Sequence, residues 1–242
     1  MSELSNFTTF SKYNFHARLY PGLLMSLPVT VLAVPLVPST TIAAVLPLLA
    51  SSGVLLVVVH QVRSLGIKTE ERLKIEWDGM PTTRRLRLRN KTNATLLNRR
   101  RKKLQALYGE PLPDAEMEQV EPTAADEIYA AATRHLITKA RQQEDLFPLV
   151  QEEVTNYGFR RNFRGVKWLA VLLTLVCLVA DGMLGYFVAI SEQTLATAVF
   201  HIAYLLAVLL VVKDSWVLQV GERYADRLFE ALDTMDEPTS NW

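Results

Sequence analysis

The chain has 242 residues, half of them apolar, with 26 Lys and Arg against 25 Asp and Glu and a formal net charge of +1. That balance hides a sharp segregation: residues 19–59 hold no Asp, Glu, Lys or Arg, residues 168–212 hold only Asp181 and Glu192, and the remainder is heavily charged. A soluble domain mixes apolar and charged residues along each element, so the pattern excludes an ordinary soluble chain and predicts an all-α membrane protein.

Residues 1–18 are polar and aromatic, with Phe7, Phe10, Tyr13 and Phe15 at mixed spacing. They read as a short interfacial helix or an extended arm on the cytoplasmic membrane surface. "MSELSNFTTFSKYNF" lacks the charged n-region of a signal peptide, so insertion is expected to rely on the spans themselves. Residues 19–60 are about twice the roughly 20 residues a helix needs to cross a bilayer. They predict a first hairpin with spans at 20–37 and 41–60, broken at "PLVPSTT", where Pro38, Ser39 and Thr40 supply a turn and an N-cap. Pro28, Pro35 and Pro47 remove backbone donors and predict kinks, set either by packing or by a gate hinge.

Residues 61–166 form a charged, mainly helical domain. "WDGMPTTRRLRLRN", from Trp77, is a tight turn followed by Arg84, Arg85, Arg87, Arg89 and Lys91. "RRLRLRN" alternates charge and Leu as a strand would, though a helix also fits. "NATLLNRRRKKLQAL" predicts a helix capped by Asn93, with Leu96, Leu97, Leu104 and Leu107 on its apolar face. "YGEPLPDAEMEQVEPTAAD" is rich in Pro and acid and reads as a loop. "PTAADEIYAAATRHLITKARQQEDL" predicts a helix with Thr123 as its cap. Pro148 starts or kinks a helix that runs through "EEVTNYGFRRNFRGVKW" towards a third span.

Residues 167–212 predict a second hairpin, with spans at 167–190 and 194–212 broken at "ISEQT". Residues 213–242 form a C-terminal helix and tail. Val217, Val220, Tyr224, Leu228 and Leu232 recur at helical spacing there. Neither inter-span connection contains Lys or Arg, so the positive-inside rule places both termini and the charged domain in the cytoplasm, with tiny external turns. Trp168 and Trp216 fit interfacial anchors at the inner boundary.

From Arg84 to Lys103 there are ten basic residues and no acid, and from Glu110 to Glu127 seven acids and no base. Topology needs only the cations nearest the membrane, such as Arg63, Lys68 and Arg72. Three roles remain open for the run: topogenic charge with anionic-lipid contact, a phosphate-binding surface, or neutralisation by the acidic stretch. The candidate phosphate contacts are Arg84, Arg85, Arg87, Arg89, Arg99, Arg100, Arg101, Lys102 and Lys103, since Arg suits bidentate phosphate contacts.

Asp181 and His201 lie about equally far from the turn between their spans, at roughly the same depth by the 1.5 Å rise. They fit a hydrogen-bonded structural pair, or rings around an oligomeric pore. Cys177 has no partner cysteine in the chain and reads as packing. His16, His60, His135 and His201 lack metal-ligand spacing, and no Gly-rich phosphate loop or nucleophile motif occurs. Neither a metal, a cofactor nor an enzymatic activity is expected.

"WDGMPTTRRLR" at 77–87 and "NYGFRRNFRGVKW" at 156–168, bracketed by two hairpins, resemble small four-span membrane effectors of bacterial antiphage defence, the channel component of Hailong-type systems. The resemblance implies a homo-oligomeric inner-membrane channel, for instance a tetramer. Its cytoplasmic domain would sense a nucleotide or short single-stranded oligonucleotide made by a nucleotidyltransferase-like partner protein. Four short spans cannot enclose a water-filled pore alone, which also predicts a homo-oligomer in the lipid bilayer. Arg160, Arg161 and Arg164, just before the third span, would form the gating linker. A non-catalytic membrane scaffold and a small proton-coupled transporter using Asp181 and His201 are the alternatives.

Overall fold

A computed structural model describes residues 12–33, 54–90, 93–188 and 191–235. The expected turn at Pro38–Thr40, Pro35 and Pro47, most of the second span, Phe7 and Phe10, Lys91 and the tail beyond residue 235 lie outside the described residues. Every regular element among the described residues is helical. A short turn, α1 (Lys12–Asn14), leads through a π-helical segment (Phe15–Leu19) into α2 (Tyr20–Ala33). Then come α3 (Val54–Glu76), α4 (Pro81–Arg84), α5 (Ala94–Tyr108), α6 (Ala115–Val120), α7 (Pro122–Gln142), α8 (Pro148–Phe187), α9 (Glu192–Val211) and α10 (Asp214–Thr234).

The chain divides into two compact units, one from residues 1–71 and 158–217 and one from 72–157 and 218–242. The C-terminal helix therefore groups mostly with the charged middle of the sequence, from which it had been expected to stand apart. Helices α3, α8 and α10 each contribute residues to both units.

The charged unit has its own core, built from Leu86, Leu104, Tyr129, Leu136, Leu228, Phe229 and Leu232. Asn93 caps α5 by accepting from Leu96 N at 3.2 Å, and Gly109, at φ +84°, ends it in the left-handed conformation. The strand-like reading of "RRLRLRN" gives way to α4 and a turn. Buried Pro81 sits at the first helical position, where its missing N–H costs nothing. Two further expectations are corrected. The acidic loop contains α6, because Asp114 caps it through Met117 N at 2.8 Å. The α7 helix starts at Pro122, so Thr123 lies inside the first turn and is not the cap. Four of the five apolar positions expected on α10, Val217, Val220, Leu228 and Leu232, are fully buried, and Tyr224 nearly so.

In the apolar unit, Val62, Phe163, Val166, Val171, Val208 and Val212 form the core. Helices α3 and α8 approach backbone to backbone. A Cβ on Gly165 would lie 2.7 Å from the carbonyl carbon of Leu65, and one on Gly66 would lie 3.0 Å from Asn162 Cα. Only glycine permits that approach. Two described helices are long and apolar enough to cross a membrane: α8, from which the third span was expected, and α9, the fourth. Only 22% and 17% of their most apolar windows are buried, and residues such as Leu172, Val176, Val199 and Leu206 face outward. Core helices of a soluble fold would be mostly buried. The first two expected spans are described only over α2 and the opening of α3.

Candidate functional site

Three polar assemblies stand out, and each brings together residues singled out in the sequence. The first lies between the apolar helices. Asp181 on α8 and His201 on α9 are 3% and 0% exposed. Asp181 Oδ2 lies 2.6 Å from His201 Nδ1, Thr197 Oγ1 donates to Asp181 Oδ1 at 2.9 Å, and His201 Nε2 lies 3.0 Å from the Pro28 carbonyl oxygen. A carbonyl only accepts, so Nε2 must carry a proton. A second proton then lies between Asp181 and Nδ1, and on either side of that bond the pair is neutral overall. That neutrality, with every polar atom matched, is what lets the pair sit among apolar helices.

The same corner explains Pro28. Proline has no N–H, so the Leu24 carbonyl one turn earlier loses its helical donor. Tyr204 Oη replaces that donor at 2.6 Å. A proline in α2 thereby becomes a tie to α9. An open groove of about 530 Å³ runs beside Asp181 between α8 and α9, lined partly by Gly182, Gly185 and Ala198.

The second assembly is the basic run of the charged unit. Its guanidinium groups are held by carboxylates of the same chain. Arg85 Nη2 lies 3.0 Å from Glu222 and 2.8 Å from Asp226, and Arg84 lies 3.7 Å from Glu222. Arg89 lies 3.1 Å from Asp126. Arg100 donates to Asp233 at 2.9 Å, and Lys103 Nζ donates to the Asp233 carbonyl at 2.8 Å. Arg87 is 2% exposed and bridges Asp126 and Asp78, each at 2.6 Å. Burial works against its charge, but hydrogen bonding to Asp126 and Asp78 outweighs that and raises its pKa.

Arg101 is also engaged inside the fold, on the carbonyls of Leu86 and Pro113 and on Tyr129 Oη. Tyr129 donates in turn to Glu118, which also accepts from the amides of Leu88 and Arg89 at 2.7 and 3.0 Å. Burial, reinforced by the Glu118 hydrogen bond and opposed by Arg101, pushes the Tyr129 hydroxyl up to about 12, so it stays a donor. Arg87 and Arg101 therefore do not face a ligand as expected, because both are closed in by protein acceptors. Arg99 and Lys102 point to solvent, leaving Arg84, Arg85, Arg89, Arg99, Arg100, Lys102 and Lys103 as accessible cations.

Sequence reasoning missed where the neutralising acids come from. Of the acidic stretch, Glu118 and Asp126 take part in these contacts with the basic run, while Glu222, Asp226 and Asp233 come from α10. The chain reaches α10 only two residues after α9 ends.

The third assembly is the expected linker. Arg164 pairs with Asp214 at 2.9 Å, and Arg160 donates to the Trp216 carbonyl at 2.9 Å with its guanidinium 4.8 Å from the Trp216 ring centroid. Lys167, at the end of the expected linker helix, donates to the Val212 and Leu209 carbonyls at 2.8 and 3.3 Å. It supplies donors and positive charge where the last turn of α9 lacks them. These three cations recur along one face of α8 and grip the joint between α9 and α10. Arg161 faces elsewhere, onto Glu70 and Asn162.

Compared with protein-family models, curated proteins and solved structures, the chain matches none.

Proposed function

We propose that the chain is a ligand-regulated, pore-forming membrane effector of a bacterial antiphage defence system. In this reading it crosses the inner membrane four times with both termini in the cytoplasm. Its pore forms between copies of a homo-oligomer. The charged unit senses an anionic ligand, a nucleotide or a short single-stranded oligonucleotide supplied by a nucleotidyltransferase-like partner.

The observation that carries the reading is the pairing of Arg84, Arg85 and Arg100 with acids of α10. Arg84 and Arg85 are about one-third exposed, so an arriving phosphate can reach them. A bidentate phosphate competes well with a carboxylate for a guanidinium. Ligand binding would release Glu222, Asp226 and Asp233 and alter the hold on α10. Because α10 follows α9 directly, and Arg160, Arg164 and Lys167 grip that joint, the change has a route to the apolar helices. Asp181 and His201 act here as the neutral lock of the α8–α9 pair, and the pore lies between subunits.

Binding of a fluorescein-labelled short oligodeoxynucleotide to the purified full-length protein tests the proposal by anisotropy. The wild type is expected to bind with strong salt dependence, and Arg84→Gln/Arg85→Gln/Arg89→Gln to bind about tenfold or more weakly with unchanged membrane topology. Absence of binding by the wild type, to mononucleotides as well as to oligonucleotides, would overturn the ligand-sensing role.

A further inference from the structure

A second cationic cluster lies in the apolar unit. The uncharged block of residues 19–59 has Arg18 as the last cation before it and Arg63 as the first after it. The fold brings the elements that carry them together at one point on α8. Ala17, in the π-helical segment, is fully buried, and its carbonyl accepts from Asn162 Nδ2 at 2.6 Å. Gly158 makes room for this contact: a Cβ there would lie 2.9 Å from Ala17 Cβ and 3.0 Å from Tyr13 Oη. Gly66, one turn beyond Arg63 on α3, presses on the same Asn162. The π-helical segment, α3 and α8 thus converge on Asn162; Arg18 directly follows Ala17 in the chain, Arg63 lies one turn before Gly66 on α3, and Arg161 donates to Asn162 Oδ1 at 3.2 Å.

Among the described residues the charges there do not balance. Glu70 is bound to Arg161. Among the described residues neither Arg18 nor Arg63 has a carboxylate at ion-pair distance; Arg18 lies over the Tyr13 ring at 5.7 Å. Burial, and then the positive charges of Arg63 and Arg161, lower the pKa of Arg18. An anion would complement these cations.

The surroundings indicate which anion. Phe15, His16 and Tyr20 form an edge-to-face aromatic cluster, and Phe15, Tyr20 and Ile67 are exposed. Aromatic rings beside cations at the end of an apolar block match the headgroup level of a bilayer, where an anion arrives attached to acyl chains.

We propose that Arg18 and Arg63, backed by Arg161, form a binding site for the phosphate of an anionic lipid headgroup. The site rests on the membrane reading of the apolar blocks and not on the pore or its ligand. It would fasten the π-helical entry of α2 to α3 and α8 at the cytoplasmic boundary.

The test uses the full-length protein in neutral detergent, with lipid binding followed by native mass spectrometry and thermal melting. Phosphatidylglycerol is expected to bind and to raise the melting temperature, whereas phosphatidylcholine and inorganic phosphate at equal concentration do neither. Arg18→Gln/Arg63→Gln should lose roughly 30-fold in phosphatidylglycerol affinity, two contacts of about fivefold each at an anionic surface. Arg18→Lys/Arg63→Lys should retain most of it, which separates lost charge from misfolding. Removing two exposed cations elsewhere, Lys139→Gln/Arg141→Gln, should change nothing. Equal binding of phosphatidylcholine, or undiminished phosphatidylglycerol binding by the double Gln variant, would overturn the site. Equal stabilisation by inorganic phosphate would overturn the lipid assignment. Failure of oligonucleotide binding leaves this result unaffected, so the two proposals stand or fall separately.

Discussion

His201→Leu is expected to destabilise the apolar unit by about 3–5 kcal/mol, because it leaves Asp181 buried without its charge or proton partner. Asp181→Leu should cost a similar amount, since it strands a buried imidazole whose Nδ1 is left with no hydrogen-bond partner. The double variant Asp181→Leu/His201→Leu should recover most of the loss. Both polar groups are then gone, and two apolar side chains fill the site. Thr197 retains the Thr194 carbonyl as an acceptor at 3.0 Å, so the double variant orphans little else. Unfolding followed in mixed micelles across the four-member cycle measures the coupling. Losses that simply add would contradict a neutral lock, and so would a harmless His201→Leu.

The second large effect is expected at Arg87. Arg87→Met should destabilise the charged unit by about 3 kcal/mol, the low end for breaking a buried pair, because Asp78 is exposed enough to be re-solvated. Asp126 is less exposed and loses a two-pronged partner. Arg87→Lys should rescue little, since a single ammonium cannot reproduce the fork to Asp126 while reaching Asp78. This geometry also accounts for the "WDG" turn. Asp78 sits at φ +53° and Gly79 at φ +102°, and a Cβ on Gly79 would lie 2.8 Å from Arg87 Nη2. The turn exists to wrap a buried guanidinium. Chemical denaturation of the purified protein, monitored at Trp77, checks the order wild type, then Arg87→Lys near Arg87→Met. Equal stability of all three would contradict a structural role for the motif.

How much of this was legible in the sequence depends on the range of the interaction. Contacts within a helix or across one turn carry local signals. The Asn93 cap is one. The equal spacing of Asp181 and His201 from the turn between their helices is another, and the structure has the two hydrogen-bonded. Helix continuity from Pro148 into the apolar block was legible for the same reason.

Contacts between elements far apart in sequence leave no such trace. The acids that hold Arg84, Arg85 and Arg100 lie on α10, more than a hundred residues away, whereas the sequence offered only the nearer acidic stretch as one of three open roles for the run. That stretch turned out to contain α6, with Glu118 turned inward onto two backbone amides. The Leu24 carbonyl freed by Pro28 was foreseeable from proline chemistry, but Tyr204 as its new donor was not. One usable signal was passed over. Gly158 and Gly165 are seven residues apart, two helical turns on one face of α8, and that spacing marks the face where the π-helical segment and α3 press closest.

Ion flux through proteoliposomes holding the purified full-length chain is the most direct test of ligand-regulated pore formation. A flux that changes by about tenfold or more when a short oligonucleotide or nucleotide is added on the side of the charged unit is the expected result. Arg84→Gln/Arg85→Gln/Arg89→Gln should abolish that response. Flux identical to that of empty liposomes, with and without ligand, would contradict the pore-forming role.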